Sequence, residues 1–233
     1  MIHLRFYYDL YKHFIYYRIS KKEREWTPDG KEIPKIIHYC WFGKNPETPL
    51  MLHCIDSWKK FLPEYKLQLW NEDNFPFSEY PFAAQAYAEK KWAFVSDVAR
   101  LHALFYYGGI YMDTDVEILR STNQFLSYGA FSGYESQYLI STGIIGAKKG
   151  HPWIRLLLSW YRNRNFNDFD KTTANTKIIS KITALHCNVN LKGQFFTIPD
   201  LDLHIYSSEW FCPRNEITNN SVCIHHFAGS WRN

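Results

Sequence analysis

Residues 94 to 119 of this 233-residue chain, Phe-Val-Ser-Asp-Val-Ala-Arg-Leu-His-Ala-Leu-Phe-Tyr-Tyr-Gly-Gly-Ile-Tyr-Met-Asp-Thr-Asp-Val-Glu-Ile-Leu, constrain its fold more than any other segment. Val98, Leu101, Ala103, Leu104 and Phe105 supply apolar positions at helical spacing, with Ser96 as the expected N-cap and the Gly108-Gly109 pair as the stop. On that helix Asp97 and Arg100 stand three apart, on one face. Ile110, Tyr111 and Met112 then form a short buried strand that delivers Asp113 and Asp115 at its C-terminal end. Residues two apart in extended chain point the same way, so both carboxylates face one small object.

Two such carboxylates repel each other unless a cation or a proton sits between them. A hard divalent ion, Mn²⁺ or Mg²⁺, is the matching cofactor. An ion held by only one or two protein carboxylates completes its shell with water and substrate phosphates, which points to a diphosphate ligand. Taken alone, an Asp-x-Asp is more often a solvated turn. Here helix, glycine stop, strand and acidic loop converge.

Asp113-Thr114-Asp115 directly after Gly-Gly-Ile-Tyr-Met, preceded by Ser96-Asp97-Val98-Ala99-Arg100, resembles the core signature of glycosyltransferase family 32, sugar transferases with a DXD motif. That family includes bacterial capsule-type enzymes, and the clostridial toxin glucosyltransferase domains carry a similar core. The resemblance extends upstream to the run from Ile33 to Gly43 and downstream to Ser230-Trp231. It implies an α/β, GT-A-like, Rossmann-type nucleotide-sugar transferase fold with a mixed central sheet. By motif position it also implies that Asp97 and Arg100 meet the donor sugar hydroxyls, Asp113 the ribose or sugar, and Asp115 the metal.

The length fits one domain over 1–233, with 1–26 as a basic, aromatic, helical N-terminal extension. An apolar content of 46% excludes general disorder, and 18% aromatic residues exceed what a core needs, which suggests stacking surfaces for bases or sugars. A formal charge of +4 favours small anions or a membrane surface, and no nucleic-acid motif is present. The five cysteines form neither a C-x-x-C pair nor a zinc spacing. With no run near the ~20 apolar residues of a membrane span, and an N-terminus too polar for a signal peptide, a cytoplasmic location is expected. Residues 2–19 look like an amphipathic helix with aromatics throughout and Arg5, Lys12, Arg18, Lys21 and Lys22 on its polar side and end. Docked on its own domain, such a helix is ordinary; as an interfacial helix, residues 2–22 would make peripheral contact with the inner face of the cell membrane.

Lys35 to Trp41 is expected as a first buried strand, Pro49 to Phe61 as a helix with Leu52, Ile55 and Trp58 inward, and Lys66 to Trp70 as a second strand. That β-α-β unit ends its first strand where open sheets place ligands. The resemblance makes Trp41, with Tyr39 beside it, the candidate for the nucleotide, and places Trp70-Asn71 near it. A further helix over about Phe82 to Lys91, strands at Ala130–Glu135 and Gly143–Ala147, and a helix opening at His151-Pro152 complete the pattern. Ala174-Asn175-Thr176 departs from the small residue and Gly-Pro that the family often shows. At the C-terminus, Val222 to His226 is a strand; the resemblance makes Ser230 a metal ligand, Trp231 a phosphate contact and His226 a replacement for a carboxylate ligand.

The function expected is metal-dependent transfer of a hexose from a nucleotide sugar, UDP-galactose or UDP-glucose, to a glycan or lipid-linked glycan acceptor in capsular or other surface polysaccharide synthesis, and the resemblance implies retention at the anomeric carbon. Two other classes stay open. A metal-dependent phosphohydrolase needs more acids, of which Glu117 is the one nearby; a non-catalytic carbohydrate-binding module needs only aromatic platforms.

Overall fold

The computed structural model of the chain describes residues 2–17, 30–162, 164–213 and 216–229. Its first unit is β1 (Ile36–Cys40), α2 (Pro49–Phe61) and β2 (Lys66–Trp70), the two strands pairing in parallel from Ile36↔Lys66 to Cys40↔Trp70. Thr48 caps α2 by accepting the Met51 N–H at 3.1 Å. Met51, Cys54, Ile55 and Trp58 face inward, whereas Leu52, expected inside with Ile55 and Trp58, is 45% exposed: the buried stripe takes Met51 in its place.

After α3 (Pro81–Ala88), a turn shorter than expected, α4 runs Trp92–Tyr107. Ser96 is therefore inside α4 and not its cap: its hydroxyl donates to the Trp92 carbonyl, the preceding turn having been recruited into the helix. Gly108 ends α4 at φ 66° as expected, and Gly109 follows at φ 117°, where a Cβ would lie 2.6 Å from the Ile36 carbonyl oxygen. Only glycine makes that turn, and it drops β3 (Gly109–Met112) alongside β1 in parallel.

β3 then pairs antiparallel with β6 (Leu139–Ala147), which begins four residues earlier than expected, and β6 with β5 (Ala130–Ser136). With β7 (Phe196–Ile198) and β8 (Leu203–Tyr206) the strands form a mixed seven-stranded sheet in the order β2-β1-β3-β6-β5-β8-β7. β4 (Val116–Ile118) and β9 (Cys223–His225) form a separate antiparallel pair with Val116 opposite His225.

Strand alternation sends Cys40, Tyr111, Ala130 and Ile145 to one face, covered by α3, α4, α5 (Pro152–Arg162) and α6 (Asn175–Cys187). Ile37, Ile110, Met112, Phe131 and Ile144 go to the other, covered by α2, the β4–β9 pair and α7 (Ser208–Phe211). α1 (Ile2–Tyr16) lies outside α5 and α6 with Phe6, Leu10 and His13 buried against them. The docked expectation for the N-terminal helix thus holds for its inner face. β2 lies on one side of β1 and β3 on the other, so the carboxyl ends of β1 and β3 flank the point where strand order reverses. Ligand crevices form at such points.

Candidate active site

Asp113 and Asp115 leave the end of β3 at that crevice. The Asp113 N–H donates to the Gly143 carbonyl of β6 at 2.8 Å, and Asp115 accepts the Ala228 N–H on its carboxylate and the His226 N–H on its carbonyl, each at 2.9 Å. The acidic loop is pinned between the main sheet and the C-terminal strand. His225 closes the cluster: its Nε2 lies 3.3 Å from Asp115 Oδ1, and one ligand atom from each of Asp113, Asp115 and His225 falls within 4.8 Å of the others. Burial pushes Asp115 up, but the His225 imidazole and the Ala228 N–H outweigh it and hold the carboxyl below its usual range. Burial works against a charge on His225 too, yet its bond to Asp115, the Cys212 sulfur and the Asp113 charge raise it to about 10.

These three side chains fit a divalent ion. An ion bound there would take a carboxylate oxygen each from Asp113 and Asp115 and an imidazole nitrogen from His225, displacing the proton that His225 otherwise holds. His225 Nδ1 is buried with no hydrogen-bond partner, an orphaned polar atom on the ring that approaches the two carboxylates. Gly143 leaves the room: a Cβ there would sit 3.0 Å from the His225 ring and 3.4 Å from Asp113 Oδ2.

Next to the cluster lies a buried charged pair. Arg100 reaches from α4 to Asp97 Oδ1 at 3.0 Å and to Asp113 Oδ1 at 3.5 Å, donates to the Thr142 carbonyl at 2.6 Å, and stacks 4.7 Å from the centre of the Tyr111 ring. Tyr111, whose role the sequence left open, is a core residue with a polar tip, and its hydroxyl donates to Asp113 Oδ1 at 2.7 Å. Burial raises Asp97, the Arg100 charge opposes that and Asp113 adds to it, leaving its carboxyl at about 6. Burial disfavours the Arg100 charge, but Asp113, Tyr111 and Asp97 together raise its pKa and hold it protonated. Asn175, first residue of α6, donates to Asp97 Oδ1 at 2.7 Å and accepts from the Tyr161 hydroxyl at 2.8 Å. The chain of contacts from Tyr161 through Asn175, Asp97 and Arg100 to Asp113 ties three helices to the acidic loop.

The structure therefore brings Asp97, Arg100, Asp113 and Asp115 together and adds Asn175, Tyr111, Gly143 and His225. His226 stands differently from expectation: its ring pairs with Glu117 Oε2 at 3.0 Å, because adjacent strand residues point to opposite sides and the β4–β9 register turns His225 inward. Tyr39 packs edge-on against Trp58, whose Nε1 donates to the Val116 carbonyl just past Asp115; Trp41 Nε1 donates to the Asn45 carbonyl. Trp70 is buried, bonded to His38 Nδ1. Ser230 and Trp231 lie outside the described residues.

The chain is similar to known proteins in sequence and in fold. Residues 49–132 match the family model described as "Glycosyltransferase sugar-binding region containing DXD motif", and the matched stretch contains Asp113-Thr114-Asp115. The chain is 33% identical over 155 residues to inositol phosphoceramide mannosyltransferase 3 of Schizosaccharomyces pombe, covering 63% of this chain and 39% of that protein. It is 30% identical over 133 residues to mannosyl phosphorylinositol ceramide synthase SUR1 of Saccharomyces cerevisiae, covering 54% and 34%. The chain thus spans well under half the length of these curated relatives. The solved PaToxG glycosyltransferase shares the fold with a TM-score of 0.55 at 19% identity, over 78% of this chain and 79% of that one. The fold is α/β and GT-A-like, with a mixed central sheet.

Proposed function

We propose that the chain is a divalent-metal-dependent glycosyltransferase that moves a hexose, retaining its anomeric configuration, from a nucleoside diphosphate sugar to a lipid-borne acceptor. The observation that carries this reading is the convergence of Asp113, Asp115 and His225 beside the buried Asp97–Arg100 pair at the reversal point of the sheet. Two carboxylates with an imidazole suit Mn²⁺ better than Mg²⁺, which prefers oxygen alone. Bound there, the ion would offset the negative charge that grows on the departing diphosphate. Arg100 fixes Asp97 and Asp113 in place, and Asp97, desolvated and acceptor-rich, is set to hold sugar hydroxyls. Trp41 and Tyr39 at the β1 end are the candidates for the nucleotide, and Ser230 and Trp231 for the metal and phosphate.

The names of the relatives make mannose the first donor sugar to test and an inositol-phosphate-bearing lipid the first acceptor, ahead of UDP-glucose or UDP-galactose and a surface polysaccharide. The phosphohydrolase reading is weakened by Glu117, the extra acid a two-metal clamp would need, which lies between His53 at 3.2 Å and His226 at 3.0 Å. Calorimetric titration with GDP, UDP and CMP, with Mn²⁺ and then with chelator, tests the reading. One diphosphate is expected to bind only with metal, and Asp115→Asn is expected to abolish that binding. Metal-independent binding of all three would sink the proposal.

A further inference from the structure

We propose that the outer face of α1 is a docking surface for an anionic phospholipid bilayer, an inference that rests on the lipid-acceptor reading above. The inner face of α1 is fully engaged. Phe6 packs on Trp160 with Lys177 5.3 Å above its ring, and His13 lies between Ser159 at 2.9 Å and His186 at 3.2 Å.

The opposite face carries Tyr7, Tyr8, Tyr11 and Ile15, each between 44% and 62% exposed. At 3.6 residues per turn these four fall within about 100° of the helix circumference, one continuous stripe, with Tyr16 beyond its edge. Scattered exposed apolar side chains are ordinary, but a continuous row marks a surface that something covers.

Composition and charge select the occupant. Tyrosine, with an apolar ring and a wet hydroxyl, is the side chain of the headgroup zone of a bilayer. Lys12 lies 4.6 Å over the Tyr8 ring, and on the same flank Arg5 is exposed, its guanidinium 3.6 Å from the exposed Asp168 carboxylate. The one acid of the helix, Asp9, is turned away to Arg164 at 2.9 Å. The exposed stripe is thus flanked by cations with no anion in it, complementary to anionic lipid and self-repelling toward a second copy of the same face. Among the described residues no helix is long and apolar enough to cross a membrane.

Placement gives the surface its use. Phe6 touches the first turn of α6 and His13 its last, so the two helices run the same way. The first residue of α6, Asn175, holds Asp97. A bilayer lying along α1 therefore runs alongside α6, whose first residue holds Asp97.

The test is co-sedimentation of the full chain with phosphatidylcholine vesicles, alone and with roughly a third phosphatidylserine. The wild type is expected on the anionic vesicles, less so at high salt, and the variant Tyr7→Ser/Tyr8→Ser/Tyr11→Ser is expected to bind about tenfold more weakly with an unchanged melting temperature. Lys12→Glu should weaken binding to the anionic vesicles alone. Equal partition of wild type and triple variant, or no wild-type binding, overturns the proposal. So does a concentration-dependent dimer that the triple variant abolishes, which would give the face to a second copy. Hydrolysis of the donor without acceptor should be equal in wild type and triple variant; its absence from both would count against the transferase reading and leave the vesicle result to judge the surface.

Discussion

Asn175 has no charge and sits 78 residues from Asp97 in sequence, yet its amide is the direct donor to the Asp97 carboxylate. We expect Asn175→Ala to leave Asp97 and the Tyr161 hydroxyl short of partners, at a cost of about 1 to 3 kcal/mol in stability. As a positioning residue it should lower kcat by up to roughly 10²-fold while nucleotide affinity holds, and move the acid limb of the pH profile upward, since losing the donor raises Asp97 further. An unchanged pH profile would reduce Asn175 to a packing residue. Gly143 makes a second residue-scale case. Gly143→Ala places a methyl 3.0 Å from the His225 ring, so Mn²⁺ affinity measured by calorimetry should fall several-fold with the fold intact.

Among the elements, α2 is the brace beneath the acidic loop. Trp58 is fully buried, its Nε1 donates to the Val116 carbonyl at 2.7 Å, and Ser57 Oγ accepts the Ile118 N–H at 2.9 Å, so one helix holds both ends of β4. Trp58→Ala should cost about 3 to 5 kcal/mol in urea unfolding. Trp58→Phe keeps most of the volume and should cost about 1 to 3 kcal/mol through the orphaned carbonyl. Because β4 follows Asp115 directly, the Phe variant should also bind Mn²⁺ more weakly. A Phe variant with wild-type metal affinity would show that the bonds to Gly143, His226 and Ala228 hold the acidic loop without help from α2.

For the molecule as a whole, four buried histidines dominate the response to acid. Burial lowers His13 to about 3 and His38, His102 and His151 to about 4. Between the ordinary value of 6.5 and about 4, the unfolded chain takes up protons on these rings that the folded chain refuses. Stability is therefore fully present above about pH 6.5 and falls as pH falls. Asp97, raised to about 6, and His225, raised to about 10, pull the other way, each holding a proton that the unfolded chain has released near neutral pH, but they are two groups against four. Moving a pKa by one is worth about 1.4 kcal/mol, so the urea midpoint should drop steadily from pH 7 to about 4.5. A level midpoint over that range would mean that these rings are hydrated or charged in the folded state.

Much of this was legible in the residues. Helical and strand periodicity marked α2, α4, β1, β2, β3 and α5 closely, and the glycine pair marked the α4–β3 turn, because these depend on neighbours within a few positions. The same locality put Asp97 with Arg100 and Asp113 with Asp115. What the sequence misplaced depends on partners far along the chain. Leu52 and Ser96 were misread by a shift of buried stripe and of helix start that only packing sets. Whether His225 or His226 turns inward is decided by the pairing of Val116 with His225. Asn175 enters the site because α6 packs on β6 and against α5, and α1 shows a tyrosine face because its other face found α5 and α6. The sequence by itself determined the order of the elements and where the acidic loop falls, since backbone sterics and side-chain periodicity act locally. Only the tertiary structure decided which histidine, which amide and which helix face complete the site, since those follow from strand register and helix packing between distant segments.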